Sequence, residues 1–102
     1  MVRFLARDVV KFGHWEEYRT ACRAWREAGT LAGLPPFRFS ASNWGTMQEV
    51  FFEADFDDAG DVDRRFAAAA NSPDFAAALI AVESHIADGQ SFGYLLREMA
   101  LE

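Results

Sequence analysis

Phe37-Arg38-Phe39-Ser40-Ala41-Ser42-Asn43-Trp44-Gly45-Thr46-Met47-Gln48-Glu49-Val50-Phe51-Phe52-Glu53-Ala54-Asp55-Phe56 is two runs of alternating character around a polar turn. Phe37, Phe39 and Ala41 alternate with Arg38, Ser40 and Ser42, and Val50, Phe52, Ala54 and Phe56 alternate with Glu49, Phe51, Glu53 and Asp55. A period of two puts successive side chains on opposite faces of a strand. In Asn43-Trp44-Gly45-Thr46 the glycine tolerates positive φ, so the two strands are expected to form an antiparallel hairpin.

Working towards the N-terminus, residues 2–12 read as another strand, with Val2, Phe4, Ala6, Val10 and Phe12 on one face and Arg3, Leu5, Arg7, Val9 and Lys11 on the other. Gly13-His14 breaks it. Trp15, Tyr18, Cys22, Trp25 and Gly29 then recur at helical spacing, with Glu16, Glu17, Arg19, Arg23, Arg26 and Glu27 opposite. A helix over residues 14–32 follows, its first turn acidic as the dipole favours and its end marked by Gly33 and Pro35-Pro36. Towards the C-terminus, Asp57 or Asp58 caps a short helix through Val62, Phe66 and the Ala67–Ala70 run. Ser72-Pro73 starts another, because serine caps well and proline suits the first helical position. Its expected buried stripe is Phe75, Leu79, Val82 and Ile86, its end Asp88-Gly89, and residues 92–99 are the last strand. The element order is β-α-β-β-α-α-β.

The 102 residues are 51% hydrophobic and include ten Phe, three Trp and two Tyr, enough for one domain over 1–102 to bury roughly two thirds of its unfolded surface without disulfides. Ten basic against sixteen acidic side chains leave a net charge of −6, which disfavours nucleic acid and anionic membranes as partners. Cys22 is the only cysteine, so a reducing, cytoplasmic setting and no thiolate metal site are expected. No stretch approaches the ~20 apolar residues of a membrane span. The heavy use of Ala, Arg and Asp suits a bacterial source with GC-rich DNA. Asp55, Asp57, Asp58, Asp61 and Asp63 surround Gly60, but Phe66 stands where a calcium loop needs glutamate, so the cluster reads as helix capping. P-loop, dinucleotide-binding and serine-hydrolase strings do not occur.

An order of this kind closes most economically as an α+β, ferredoxin-like domain, a four-stranded antiparallel sheet with its helices on one face. The other face then carries Leu5, Val9, Trp44 and Phe51 among Arg3, Arg7, Arg38, Glu49 and Glu53. Large apolar groups there are better buried, which predicts a homodimer with two sheets packed face to face and Leu5, Arg7, Val9, Phe51 and Glu53 at the interface. Arg7 and Glu53 are an expected cross-strand ion pair.

Gly13-His14-Trp15 before a long helix, Gly45-Thr46-Met47-Gln48-Glu49-Val50 leading to Phe56-Asp57-Asp58, Asn71-Ser72-Pro73-Asp74-Phe75 and Asp88-Gly89 together resemble the dimeric α+β barrel superfamily. The chain is most similar to the NIPSNAP-like branch, with the antibiotic biosynthesis monooxygenase and stress-responsive barrel branches close behind. The resemblance covers nearly the whole chain and implies a homodimeric barrel with any ligand pocket between each sheet and its own helices. The superfamily's cofactor-independent monooxygenases hold a phenolic substrate with Asn and Trp; here Asn43 and Trp44 are adjacent in a turn, where their side chains diverge. The haem-degrading branch implies an axial histidine in a stretch comparable to Phe75–Leu79, and Leu79 in that place counts against haem iron unless His85, a turn and a half further on, substitutes.

The expected ligand is an apolar or aromatic small molecule, with Trp15, Trp25, Phe39, Trp44, Phe52 and Phe66 as binding candidates and the Trp25 and Trp44 rings as stacking surfaces. His85, Tyr18 and Tyr94 are the candidates for proton transfer. Cys22, on the buried stripe with no base evident, reads as inert core. No cofactor or metal is expected. The enzymatic form of this reading is a cofactor-independent oxygenase, isomerase or cyclase; the alternative is a non-catalytic dimeric scaffold.

Overall fold

A computed structural model describes residues 1–42 and 47–101. Its elements are β1 (Val2–Val9), α1 (Trp15–Leu31), β2 (Arg38–Ala41), β3 (Glu49–Phe56), α2 (Ala59–Ala70), α3 (Pro73–Glu83) and β4 (Phe92–Arg97). The four strands form one antiparallel sheet in the order β2-β3-β1-β4, the ferredoxin-like arrangement that the element order implies.

Alternation sets which sheet face meets the helices. Val2, Ala6, Val50, Ala54 and Phe56 are buried on one side, and Tyr18, Ala21, Cys22 and Trp25 of α1 and Phe75 and Val82 of α3 close over the same core. The aromatic rings interlock: Trp25 lies 4.9 Å from Phe37 and 5.7 Å from Phe75, and Phe66 lies 5.4 Å from Phe4. The helix starts follow their caps. Asp58 accepts the Asp61 amide at 2.8 Å, and Ser72 accepts the Phe75 amide at 3.3 Å with Pro73 in the first turn.

Three boundaries differ from the sequence reading. β1 ends at Val9 and Phe12 is 85% exposed, because the chain turns at Lys11–Gly13, where Gly13 adopts φ 83°. α3 stops at Glu83, short of Asp88-Gly89: the Ser84 hydroxyl donates back to the Ala81 carbonyl at 2.7 Å, and the chain then runs beside β1, with the Ala87 amide on the Val9 carbonyl at 2.8 Å and Val10 bridged to Ile86. The expected stripe is therefore broken, since Ile86 lies beyond the helix and Leu79 is 36% exposed. β4 ends at Arg97, two residues before Met99. The turn Asn43–Thr46, Trp44 included, lies outside the described residues; the flanking strands pair from Arg38↔Glu53 to Ala41↔Val50, as a hairpin requires.

On the face away from the helices, Leu5 stands between Glu53 and Tyr94, and Arg7 between Phe51 and Phe92. The expected Arg7–Glu53 pair does not form. Arg7 opposes Phe51, with Glu49 and Glu53 on its two diagonals, and it takes Glu49 while its guanidinium lies 5.1 Å from the Phe92 ring centre. Glu53 instead meets Arg3 at 3.8 Å and Arg38 at 3.5 Å.

Candidate functional site

Between the sheet and the helices is a cavity of about 310 Å³, walled by Phe4 and Ala6 of β1, Phe39 and Phe52 of the hairpin, Tyr18, Cys22 and Trp25 of α1, and Leu79 and Val82 of α3. The lining is mostly apolar. Its polar members are Arg7, Asp8, Glu83 and Ser91, and of these Asp8 is the one that is buried: it follows Phe4 and Ala6 on the same alternation of β1 and is only 5% exposed. The Tyr18 hydroxyl donates to Asp8 Oδ2 at 2.8 Å and the Ser91 hydroxyl donates to Oδ1 at 2.9 Å. Among the described residues no cation pairs with Asp8, so these two hydroxyls take the place of its lost water.

Burial drives the Tyr18 phenol far above its ordinary pKa, and the negative charge of Asp8 adds to the effect. The phenol therefore stays protonated across the physiological range and acts as a donor. Burial also pushes the Cys22 thiol up to about 11, as an inert core cysteine requires. What the cavity offers chemically is one buried carboxylate among mostly apolar walls, held by a phenol that does not ionise, with the exposed Glu83 at its margin.

A second cleft of about 320 Å³ adjoins the first, sharing Tyr18, Cys22 and Phe39 with it. Trp15, Arg19, Arg23 and Arg26 of α1 form one wall, and Phe39–Ala41 of the edge strand β2 form the other. Trp15 stacks on Tyr18 with ring centres 6.4 Å apart.

Of the residues singled out from the sequence, Tyr18, Trp25, Phe39 and Phe52 meet in the first cavity and Trp15 lines the second. Phe66 lines neither cavity and lies half-buried among Phe4, Phe37 and Phe56. His85 lies two residues beyond α3 and lines neither cavity; its Nδ1 is 3.0 Å from Nδ1 of His14, the N-cap residue of α1, whose side chain makes no capping bond. Tyr94 opposes Leu5 on the outer sheet face, away from both cavities, and Leu5, Arg7, Val9, Phe51 and Glu53 share that face. The residues missed in the sequence are Asp8 and Ser91. Asp8 was detectable as a carboxylate on the inward parity of β1; Ser91 has no local signal, since its partner is 83 residues away.

Among the described residues no group of three or more His, Cys, Asp or Glu side chains is placed to hold a metal ion, and no helix is long and apolar enough to cross a membrane.

No protein-family model matches the sequence, and no curated protein matches it significantly. Solved structures do match. A NIPSNAP family protein of unknown function from Agrobacterium tumefaciens superposes with a TM-score of 0.85 at 15% identity, covering 100% of this chain and 91% of that one. An uncharacterised NIPSNAP domain protein from Burkholderia xenovorans gives 0.79 at 15% identity, covering 99% and 97%. An antibiotic biosynthesis monooxygenase gives 0.75 at 13% identity, covering 98% and 100%. At such identities the likeness is one of backbone architecture, and it holds over the whole length: the chain has the ferredoxin-like α+β fold of NIPSNAP proteins and antibiotic biosynthesis monooxygenases.

Proposed function

We propose that the protein binds an apolar or aromatic small molecule between its sheet and helices and catalyses a cofactor-independent proton transfer on it, as an isomerase or cyclase does. The observation that carries this reading is Asp8, a carboxylate buried in an apolar cavity and held by the Tyr18 and Ser91 hydroxyls. Such a carboxylate is a suitable base for a carbon acid: as Asp8 takes up the proton and becomes neutral it holds the Tyr18 hydroxyl less tightly, and that single O–H can turn to donate to the enolate oxygen that forms. An oxygenase reading draws on the same cavity but on no additional residue. The working form is a homodimer that covers the outer sheet face.

Binding is tested by titrating 2-naphthol against tryptophan fluorescence. Saturable quenching is expected in the native protein and its loss in Leu79→Trp, which places a larger ring at the cavity mouth where Leu79 is already 36% exposed. Catalysis is tested by exchange of the α-protons of 2-tetralone in deuterated water. The native protein should accelerate the exchange, and Asp8→Asn should slow it by roughly 10²-fold, the size of a general-base contribution. No saturable binding would remove the proposal; binding without exchange would leave a ligand carrier or a dimeric scaffold. The scaffold is favoured by one observation, the exposed Phe92, Tyr94 and Leu96 on the outer sheet face.

A further inference from the structure

Arginines in this protein are mostly paired. Arg3, Arg7, Arg19, Arg38, Arg64 and Arg65 each meet a carboxylate, as an excess of sixteen acidic over ten basic side chains would lead one to expect. Arg23, Arg26 and Arg97 meet none among the described residues, and Arg97 stands apart at the end of β4. Arg23 and Arg26 belong together. They are three apart on α1 and thus neighbours on its surface, and both form the wall of the second cleft together with Arg19. The four residues outside the description that flank β2 and β3, Asn43–Thr46, include no acid. Two uncompensated guanidinium groups therefore stand side by side at the edge of a cleft whose inner wall is Trp15, Tyr18 and Phe39.

That cleft adjoins the Asp8 cavity, with Tyr18, Cys22 and Phe39 in the lining of both. We infer that Arg23 and Arg26 form an anion seat and that the ligand is an aromatic carboxylate, its ring body lying against Tyr18 and Phe39 and its acid group on the two guanidiniums. The inference rests on the proposed binding of an aromatic molecule and specifies its charge. Guanidinium suits a carboxylate because its planar fork matches the two oxygens. The polarity of the site agrees: an acid group directed at Asp8 would be repelled, whereas one directed at the second cleft meets the unpaired positive charge. Elsewhere the protein's net charge of −6 opposes an anionic ligand, so affinity for one needs a local seat.

The test compares 6-hydroxy-2-naphthoate with its methyl ester, which keeps the ring body and removes the charge. In the native protein the acid should bind about tenfold tighter than the ester at low salt, and the preference should shrink as salt rises. In Arg23→Gln/Arg26→Gln, on exposed positions of α1, the ester should bind as before and the acid should fall below it, because the remaining protein repels an anion. Equal affinity for acid and ester in the native protein would overturn the anion seat and leave the aromatic cavity standing. An acid preference that survives in the double variant would also overturn it, by placing the seat elsewhere. If neither compound binds, the cavity reading fails and the anion seat with it.

Discussion

Asp8 is held by two hydroxyls, and each can be removed separately. Tyr18→Phe leaves Asp8 Oδ2 buried without its donor, at a cost of about 1–3 kcal/mol. Urea denaturation should show the loss, and Ser91→Ala should cost less because Ser91 is exposed. Cys22 carries a pH prediction of definite sign. Its thiol ionises at about 11 when folded, against an ordinary value of 9.0, so the unfolded chain releases this proton first. Stability from the buried thiol is present below pH 9 and is lost as pH rises towards 11. At pH 8 iodoacetamide should accordingly label Cys22 only after denaturant is added; rapid labelling of the native protein would contradict the burial. The inward placement of Tyr18, Cys22 and Trp25 was legible because helical spacing marks a buried stripe with bulky residues. Asp8 obeys the same parity rule but reads as a surface group, since its burial depends on donors from α1 and from the segment before β4. His85 looked like a site residue because imidazole titrates near neutrality; the turn after α3 carries it to His14 instead.

Helix starts were legible for a local reason: a cap is a contact between residues three apart, as in Asp58 to Asp61 and Ser72 to Phe75. Ser72→Ala should cost about 1 kcal/mol in thermal or chemical unfolding. The end of α3 was not legible, because what stops it is a tertiary contact, the bridge of Ile86 to Val10 of the first strand's extension. Packing between α1 and α3 is equally tertiary. A Cβ on Gly29 would come within 3.3 Å of both Leu34 and Phe75, so Gly29→Val should destabilise by about 1–3 kcal/mol through overpacking, beyond any gain in helix propensity. At the start of α2 the Asp61 carboxyl lies below its ordinary range, chiefly through the 3.0 Å bond from Arg65. As pH falls below about 4 the unfolded chain takes up this proton first. The contribution is therefore present above that pH and lost as pH falls through the folded value. Arg65→Gln should move the acid-unfolding midpoint upwards, and an unchanged midpoint would show that the pair adds nothing.

At the scale of the molecule the proposed homodimer rests on the outer sheet face. Phe92, Tyr94 and Leu96 are 45%, 54% and 44% exposed there, in line with Leu5 and beside Phe51 across the β1 register. Around them Arg3, Arg7 and Arg38 are already neutralised by Glu49, Glu53 and Asp55 within the same chain. Charges satisfied in this way need no partner, so the case for the proposed dimer lies in the apolar stripe, for which a twofold copy of the same stripe is self-complementary. Phe51→Asp adds a carboxylate between Glu49 and Glu53 on β3, and in a face-to-face dimer the twofold axis brings a second such carboxylate into the same buried layer. Repulsion and desolvation then act together. Light scattering at micromolar concentration should give a mass of twice the chain for the native protein and of one chain for the variant, with the far-UV circular dichroism unchanged because Phe51 takes no part in the helix-side core. A variant that remains dimeric would place the interface elsewhere, and a native monomer would leave the stripe without a partner of its own kind.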